Sequence, residues 1–433
     1  MKRFVFASGC AFGVAAVVAA CSSSTDDAPA PTADAAPETT TPDEDASFND
    51  PPCPPSGVSK GPWSIAMTRA GARVRWETCR VDAMPDLVLR PEAGGADVTV
   101  KTTAKETHIV TRQQAGLNRE RSPDDAPGTY WLNEALVDGL PAGTCYHYEL
   151  VADRSLGGRF CTARADGSEV HFLAIGDTNP LLDDSVAKLF TKVLPLGPDF
   201  IVHGGDMQYY SSGFETWAGW FPAMRPLLAQ GALLPALGNH EHETPDELDD
   251  YSRRFFGWPD FGGTTMWYRF ESGGVFFHVL DTEESVLPAS PQGAWLLASL
   301  AAASSTPGFR FSTVVMHKPF VTCGDSSPND EARKAFASAF AQHKVALVLQ
   351  AHVHDYERFD IDGVTYLTTG GGGALLGNPD DNVSRPECAM RKSAGAFFHA
   401  VDVVVPALPD KVLRGKAIDE TGTVKDSFTI TLP

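Results

Sequence analysis

The chain has 433 residues, of which 43% are hydrophobic, so it can form two or three domains with substantial cores. Its formal net charge of −20 at pH 7 argues against nucleic acid and other polyanions as general partners, because like charges repel. A small anionic ester can still bind where metal ions reverse the local charge.

The first 20 residues have the pattern of an export signal. A basic start, Met1–Arg3, precedes an apolar run over residues 4–20 that is too short and wrongly flanked for a membrane span. The sequence VAAC, ending at Cys21, is similar to a bacterial lipoprotein processing site, which implies lipid modification of Cys21. Ordinary signal-peptide cleavage near the same position is the alternative. Several acyl chains would hold the protein at the cell envelope, on the outer membrane or the cell surface.

Residues 21–52 have the composition of a linker. They are rich in Ser, Thr, Ala, Pro and acidic residues and contain hardly any large apolar side chain. Such a segment cannot offset the entropy of ordering by burying apolar surface. We therefore predict a disordered acidic spacer.

Residues 53–165 have the pattern of an all-β domain. Apolar and polar residues alternate over residues 73–77, 97–101 and 146–150, as expected of half-buried strands. The stretch LVDGLPAGTCYHYELV, residues 136–151, resembles the penultimate-strand signature of fibronectin type III domains. The resemblance implies a fibronectin III-like sandwich.

Six cysteines remain beyond Cys21 and the one in the signal, and an even number in an exported protein favours disulfides. In the implied sandwich, Cys145 begins a strand and Cys161 ends its antiparallel neighbour, so the two could lie close together. Sequential pairing is therefore favoured, while other connectivities stay open. The favoured pairs are Cys53–Cys79, Cys145–Cys161 and Cys323–Cys388.

From residue 168 onward, strand-like runs alternate with helical patterns, which is typical of an α/β fold. In such folds, sites form in loops at the carboxyl ends of strands. Strands are predicted over residues 170–175, 200–202, 231–237, 275–280, 311–316 and 345–349. Helices are predicted over residues 181–194, 214–228, 245–256, 291–302 and 330–343.

Five polar blocks along this region carry the candidate site, and most of them directly follow a predicted strand. They read AIGDTNP, GGDMQYY, LGNHEH, VVMHKPF and AHVHDYERF. Carboxylate, amide and imidazole groups of this kind can hold two adjacent metal ions, which catalyse phosphoester chemistry. The candidate metal ligands are Asp177, Asp206, Tyr209, Asn239, His317, His352 and His354.

Tyr209 narrows the choice of metal. A phenol has a pKa of about 10 and ligates poorly unless a strong Lewis acid removes its proton. A tyrosinate ligand therefore favours Fe(III) and predicts a charge-transfer colour. Its spacing after Asp206 selects Tyr209, with Tyr210 as the alternative.

These blocks, above all GNHE and HVHDYER, resemble those of the purple acid phosphatases within the calcineurin-like metallophosphoesterases. The preceding sandwich is similar to the N-terminal domain of plant-type members. The resemblance implies a four-layer α/β/β/α domain over residues 168–433. It implies one site for Fe(III), a second for a divalent Zn, Fe or Mn ion, and a bridging Asp206. The first site would use Asp177, Tyr209 and His354, and the second Asn239, His317 and His352.

The resemblance also implies an activity. His240 matches the histidine that contacts phosphate and protonates the leaving alkoxide. The implied function is acid phosphatase activity on phosphate monoesters, in which a metal-bound hydroxide attacks phosphorus. A phosphodiesterase or nucleotide hydrolase on the same site is the alternative, and a surface-binding lipoprotein with a vestigial metal domain is the alternative of another class.

The expected partners are small phosphorylated substrates, with the membrane contacted through the lipid anchor alone. Loops expected to set substrate choice span residues 257–265, 323–330 and 380–388.

The chain departs from the family pattern at two places. Asn179 stands where many calcineurin-like enzymes have histidine, which fits the branch that uses tyrosinate. The stretch after His317 lacks the further histidine of plant-type members, and Lys318 is the candidate substitute. Two other features stay open: His242 is a candidate lining residue, and Gly370–Gly373 is predicted to be a tight turn rather than a phosphate-binding loop.

Overall fold

The computed structural model describes residues 53–80, 86–110, 128–209, 217–242, 247–257 and 267–432. The predicted signal and linker, Cys21, Tyr210 and most of the loop at residues 257–265 lie outside the described residues. The described residues all belong to one compact unit. Within the described ranges, no helix has both the length and the apolarity to cross a membrane.

The N-terminal region is a β-sandwich. Its strands are β1 (Val58–Ile65), β2 (Ala72–Thr78), β3 (Leu87–Pro91), β4 (Val98–Val100), β5 (Ala104–Val110), β6 (Gly128–Val137), β7 (Cys145–Leu150) and β8 (Asp153–Cys161). They form the sheets β1-β2-β6-β5 and β4-β3-β7-β8. Alternating residues of β2 are buried, and Trp76 packs in one core with Tyr148 and Phe160 from the other sheet. The predicted sandwich is confirmed.

The second region contains two larger sheets. Its strands are β9 (Val170–Ile175), β10 (Phe200–His203), β11 (Ala232–Pro235), β12 (Tyr268–Ser272), β13 (Val275–Val279), β14 (Phe311–Val315), β15 (Val345–Gln350), β16 (Tyr356–Ile361), β17 (Val364–Thr369), β18 (Arg391–Gly395), β19 (His399–Val405), β20 (Val412–Asp419) and β21 (Val424–Thr431). One sheet has the order β11-β10-β9-β19-β20-β21, and the other has β12-β13-β14-β15-β17-β16-β18. All six predicted strands are present, whereas β12 and β16–β21 were not predicted.

The five predicted helices are all present. They are α1 (Ser185–Val193), α2 (Trp217–Leu228), α3 (Glu247–Phe256), α4 (Pro291–Ser304) and α5 (Asp330–Gln342). The start of α4 is fixed by Pro291 and by the Ser290 hydroxyl, which accepts a hydrogen bond from the Gly293 amide at 3.0 Å. Asn329 caps α5 in the same way through the Ala332 amide at 3.0 Å.

Three of the helices pack on the two sheets. Helix α1 packs on β19 and β20, while α4 and α5 pack on β13, β14 and β15. Between the sheets, Phe277 contacts Phe172 and Phe200, with ring centroids 5.2 and 5.6 Å apart. This arrangement is the predicted four-layer α/β/β/α domain.

Strand direction brings the candidate site together. Strands β9, β10 and β11 run parallel in one sheet, and β13, β14, β15 and β17 run parallel in the other. The carboxyl ends of parallel strands meet at one edge of a sheet, and loops there commonly carry function.

The sandwich packs closely against α2 and α3. Trp63 of β1 lies 4.6 Å from Phe221 of α2 between ring centroids, and its indole N–H donates to the Phe255 carbonyl at 3.2 Å. Beside it, the buried Glu77 carboxylate lies 2.7 Å from the Lys60 ammonium group and also pairs with Arg254. We call Lys60, Glu77 and Arg254 the junction cluster.

Three disulfides join the cysteines in the favoured sequential order. They are Cys53–Cys79, Cys145–Cys161 and Cys323–Cys388, with Cα–Cα distances of 5.7, 3.9 and 5.9 Å. The last of these ties the loop after β14 to the segment before β18.

Candidate metal centre

The described residues bring all seven predicted metal ligands to one edge of the two sheets. Each lies in a loop that follows a strand: β9, β10, β11, β14 or β15. The first two loops also bind each other, because the Asp177 amide donates to the Gly205 carbonyl and the Thr178 amide donates to the Asp206 carbonyl, both at 3.0 Å. We call these seven residues the metal-site cluster. Its members are Asp177, Asp206, Tyr209, Asn239, His317, His352 and His354.

One half of the metal-site cluster is centred on His317. Its Nε2 lies 3.2 Å from Asp206 Oδ2, 3.1 Å from Asn239 Oδ1 and 3.1 Å from His352 Nδ1. Donor atoms of Asp206, His317 and His352 lie within 4.8 Å of one another, close enough to share one ion. Imidazole and carboxylate groups in this arrangement suit a divalent transition metal.

The other half consists of Asp177, Tyr209 and His354. The Tyr209 hydroxyl lies 3.2 Å from His354 Nε2 and 3.4 Å from Asp177 Oδ1. His354 Nε2 is itself 3.4 Å from Asp177 Oδ1. A carboxylate, a phenol and an imidazole therefore converge at hydrogen-bond range, as a ligand triad would.

Backbone hydrogen bonds orient the imidazoles. His317 Nδ1 lies 3.0 Å from the Gly204 carbonyl, and His354 Nδ1 lies 2.8 Å from the Leu375 carbonyl. Each ring then directs Nε2 towards the cluster. Such outer contacts fix the tautomer and orientation of metal-binding histidines.

The backbone is strained at three members of the cluster. Asp177, Asp206 and His352 have φ values of 56°, 51° and 71°, which residues with a side chain seldom adopt. Strain of this kind persists where the surrounding structure imposes it, and it concentrates at functional sites. A side chain at Gly238 would place its Cβ 2.0 Å from Asp206 Oδ1, so that position requires glycine.

Glu241 is a site residue to which the sequence analysis assigned no role. Its buried carboxylate accepts hydrogen bonds from the amides of Asp206, Met207 and Gly238 at 2.8–2.9 Å. Burial and the neighbouring Asp206 raise its pKa to about 7. Glu241 thus holds the Asp206 loop against the loop after β11. Its presence in the GNHE block was the available signal.

His240, the predicted catalytic residue, lies beside the cluster. Its ring centroid is 4.1 Å from that of Tyr209, and its amide donates to Asp206 Oδ1 at 2.9 Å. Its side chain is 19% exposed, whereas that of Asp206 is 2% exposed. His240 therefore lies between the cluster and the solvent, where a substrate would enter.

Two residues with open roles are held by carboxylates. Nε2 of His242, the candidate lining residue, lies 3.3 Å from Asp281 Oδ2. The Lys318 ammonium lies 2.7 Å from Glu283 Oε2. Lys318 is thus neutralised locally, which weakens its case as a substitute phosphate contact.

The Gly370–Gly373 run supports the Asp177 loop. The Gly372 amide donates to the Gly176 carbonyl at 2.9 Å, and a Cβ on Gly372 would lie 2.1 Å from that oxygen. The Ala374 amide donates to the Asp177 carbonyl at 3.0 Å. These contacts favour the predicted tight turn.

The charges of the cluster fit bound cations. Burial and the nearby Asp177 and Asp206 raise the pKa of Tyr209 well above its usual value. Burial opposes protonation of His317, yet Asp206 outweighs it and raises the His317 pKa to about 10. The same competition, with Asp177 as the anion, raises the His354 pKa to about 9. The carboxylates thus attract positive charge, which metal ions would supply.

Comparison with known proteins agrees with this geometry. Residues 170–356, which include the whole cluster, match the family model described as calcineurin-like phosphoesterase. The chain carries a calcineurin-like phosphoesterase domain. Members of this family, including the purple acid phosphatases, are binuclear metal enzymes.

The relatives extend the similarity to most of the chain. Probable purple acid phosphatase 20 of Arabidopsis thaliana is 24% identical over 384 residues, covering 83% of this chain and 84% of that protein. A Mycobacterium tuberculosis protein, MT2654, is 23% identical over 392 residues, covering 76% and 72%. The structure of purple acid phosphatase PPD1 from yellow lupin (Lupinus luteus) seeds has a TM-score of 0.71 at 18% identity, covering 86% and 74%. These matches support a phosphatase-type hydrolase, and the chain shares the fold of a purple acid phosphatase.

Proposed function

We propose that the protein is an acid phosphatase that hydrolyses phosphate monoesters at a binuclear metal centre. The observation that carries this proposal is the convergence of Tyr209 with Asp177 and His354 beside the His317 group. A phenol whose pKa is raised by burial and by anions becomes a ligand only for a strong Lewis acid. That requirement favours Fe(III) in this half of the site.

The ligand assignment follows from the two halves. Fe(III) would be held by Asp177, Tyr209 and His354. The divalent Zn, Fe or Mn ion would be held by Asn239, His317 and His352. Asp206 would contribute to both ions: its Oδ2 lies 3.2 Å from His317 Nε2, and its backbone carbonyl accepts a hydrogen bond from the Thr178 amide of the Asp177 loop. When bound, such a metal pair activates water and offsets the charge of the phosphate.

His240 supplies the proton in this proposal. Its half-buried imidazole stands over Tyr209, and its amide is fixed on Asp206. From there it can contact a phosphate oxygen and protonate the departing alcohol oxygen. Proton transfer by a positioned side chain is typically worth about 100- to 10,000-fold in rate.

Metal analysis combined with a visible absorption spectrum tests the proposal. We expect iron in the purified protein, a visible charge-transfer band lost in Tyr209→Phe, and faster hydrolysis of p-nitrophenyl phosphate than of its bis ester. A colourless, fully active dizinc enzyme would contradict the Fe(III) assignment. Preference for the bis ester would favour the phosphodiesterase. Metal-free, inactive protein after reconstitution would favour the surface-binding lipoprotein.

We also propose that the protein is exported and anchored through Cys21. The sequence of residues 1–21 supports this, and so do the three disulfides, because disulfides persist in oxidising compartments. Metabolic labelling with a radioactive fatty acid should mark the wild type and not Cys21→Ala. Equal labelling of both would contradict the anchor.

A further inference from the structure

Two exposed leucines lie beside the opening of the metal site. Leu375 is 73% exposed and Leu376 is 37% exposed, so two adjacent apolar side chains face solvent. Leu375 is the most exposed of the large hydrophobic residues in the described ranges. Their position next to the metal-site cluster suggests a role in substrate binding.

The position of Leu375 is fixed by the site itself. Its carbonyl oxygen accepts the Nδ1 hydrogen bond of His354 at 2.8 Å, and the Gly377 amide returns to the His354 carbonyl at 2.9 Å. The His354 side chain is 25% exposed, whereas that of Asp177 is fully buried. The metal-site cluster therefore reaches solvent next to the leucines.

Several charged groups near the leucines are negative or already paired. The exposed Asp325 carboxylate would lie 3.8 Å from a Cβ placed on Gly377. The nearby Arg391 pairs with Glu357 and Asp380, and Lys318 pairs with Glu283. A leaving group carrying extra negative charge would be repelled by Asp325, while Arg391 and Lys318 are already engaged by carboxylates.

We propose that Leu375 and Leu376 form the contact surface for the alcohol part of the substrate. The preferred substrates are then phosphate monoesters of apolar, uncharged alcohols, with aryl esters foremost, rather than sugar phosphates or nucleotides. This inference rests on the proposed phosphatase activity and adds the class of leaving group. Apolar contact surface removed from water stabilises the complex in proportion to its area.

The test compares two esters on matched variants. Leu375→Ser and the double variant Leu375→Ser/Leu376→Ser should raise the KM for phenyl phosphate by about threefold to tenfold. Their KM for glycerol 3-phosphate and their kcat for both esters should stay within about twofold. The control is Leu408→Ser, which removes a residue that is 52% exposed. Leu408 bonds to Gly167 before β9, at the end of that strand away from the cluster.

Thermal midpoints of all variants establish that the fold is kept. Unchanged KM for phenyl phosphate, or an equal rise for both esters, would overturn the inference. Binding of benzylphosphonate and methylphosphonate by calorimetry gives a readout that does not need turnover. We expect the benzyl compound to lose affinity in Leu375→Ser while the methyl compound does not, and equal losses would overturn the inference. If the wild type hydrolyses neither ester, the proposed function fails, and the phosphonate comparison still decides the role of the leucines.

Discussion

The metal-site cluster and the junction cluster are both buried groups of charged side chains, but their charges are balanced differently. In the junction cluster, burial would raise the pKa of Glu77, yet Lys60 and Arg254 hold it below its ordinary value. In the metal-site cluster, the ion-pair partners of Asp177 and Asp206 within the described residues are histidines. The carboxylate of one cluster is paired with lysine and arginine, whereas the carboxylates of the other are paired with histidines, whose protons metal ions would displace.

The two clusters also differ in backbone conformation. None of the three junction residues has positive φ, whereas Asp177, Asp206 and His352 all do. A cluster that only stabilised the fold would not need this backbone strain. This difference is consistent with a stabilising role for the junction cluster and with the proposed metal-binding role for the other.

We expect the largest change from a substitution in the metal-site cluster. Asp206→Asn keeps the side-chain shape but removes the charge proposed to serve both ions. We expect kcat for p-nitrophenyl phosphate to fall about 100- to 1,000-fold, because metal charge stabilisation is worth several kcal/mol. Bound metal, measured by mass spectrometry, should fall as well. Wild-type metal content and activity in Asp206→Asn would exclude it as the shared ligand.

We expect the next largest change from a substitution in the junction cluster. Glu77→Gln leaves Lys60 and Arg254 as buried cations without their counter-charge, so unfolding free energy should drop by about 3–5 kcal/mol. Chemical denaturation measures this loss. The control is Glu92→Gln, which removes a partly exposed partner of Arg159 and should cost at most about 1 kcal/mol. Equal losses in both variants would show that burial does not decide the value of these pairs.

We expect a smaller change from a substitution of Glu241, which tests whether this residue supports the metal ligands. Glu241→Gln keeps one acceptor oxygen but disturbs the amides of Asp206 and Met207 that its carboxylate binds. Outer contacts of metal ligands are worth about 10- to 100-fold in affinity or activity. Competition with a chelator should therefore remove metal from Glu241→Gln at lower chelator concentration than from the wild type. If the same concentration strips both proteins, Glu241 has no influence on the metal.

The sequence predicted the strands that carry the site because each is an apolar run ending in a polar block. Strand β9, for example, has the predicted bounds of residues 170–175. It did not predict β19–β21, where charged residues interrupt the apolar ones, as in VLRGKAID of β20. Nor does chain order reveal that β19 pairs with β9, since this contact joins distant segments.

For the site, strand ends predicted which side chains would converge, but not how the chain holds them. The positive φ of Asp177 and Asp206 and the bonds of Glu241 to three amides depend on tertiary contacts. The same is true of the pairing of Lys318 with Glu283, which no spacing in the sequence indicates. The convergence of these side chains was therefore predictable from motifs, whereas backbone strain and ion pairing depend on the fold.

The smallest expected effect concerns Lys318, a cation beside the metal-site cluster that is nevertheless balanced like one in the junction cluster. Because Glu283 neutralises Lys318 and its side chain is 39% exposed, Lys318→Met should change kcat/KM for p-nitrophenyl phosphate by less than about threefold. Glu283→Gln releases the ammonium group, so it should lower the KM, and this decrease should disappear in the double variant. Steady-state kinetics at low ionic strength measures both effects. A tenfold or larger loss in Lys318→Met would instead make Lys318 a direct phosphate contact, as the missing histidine after His317 first suggested.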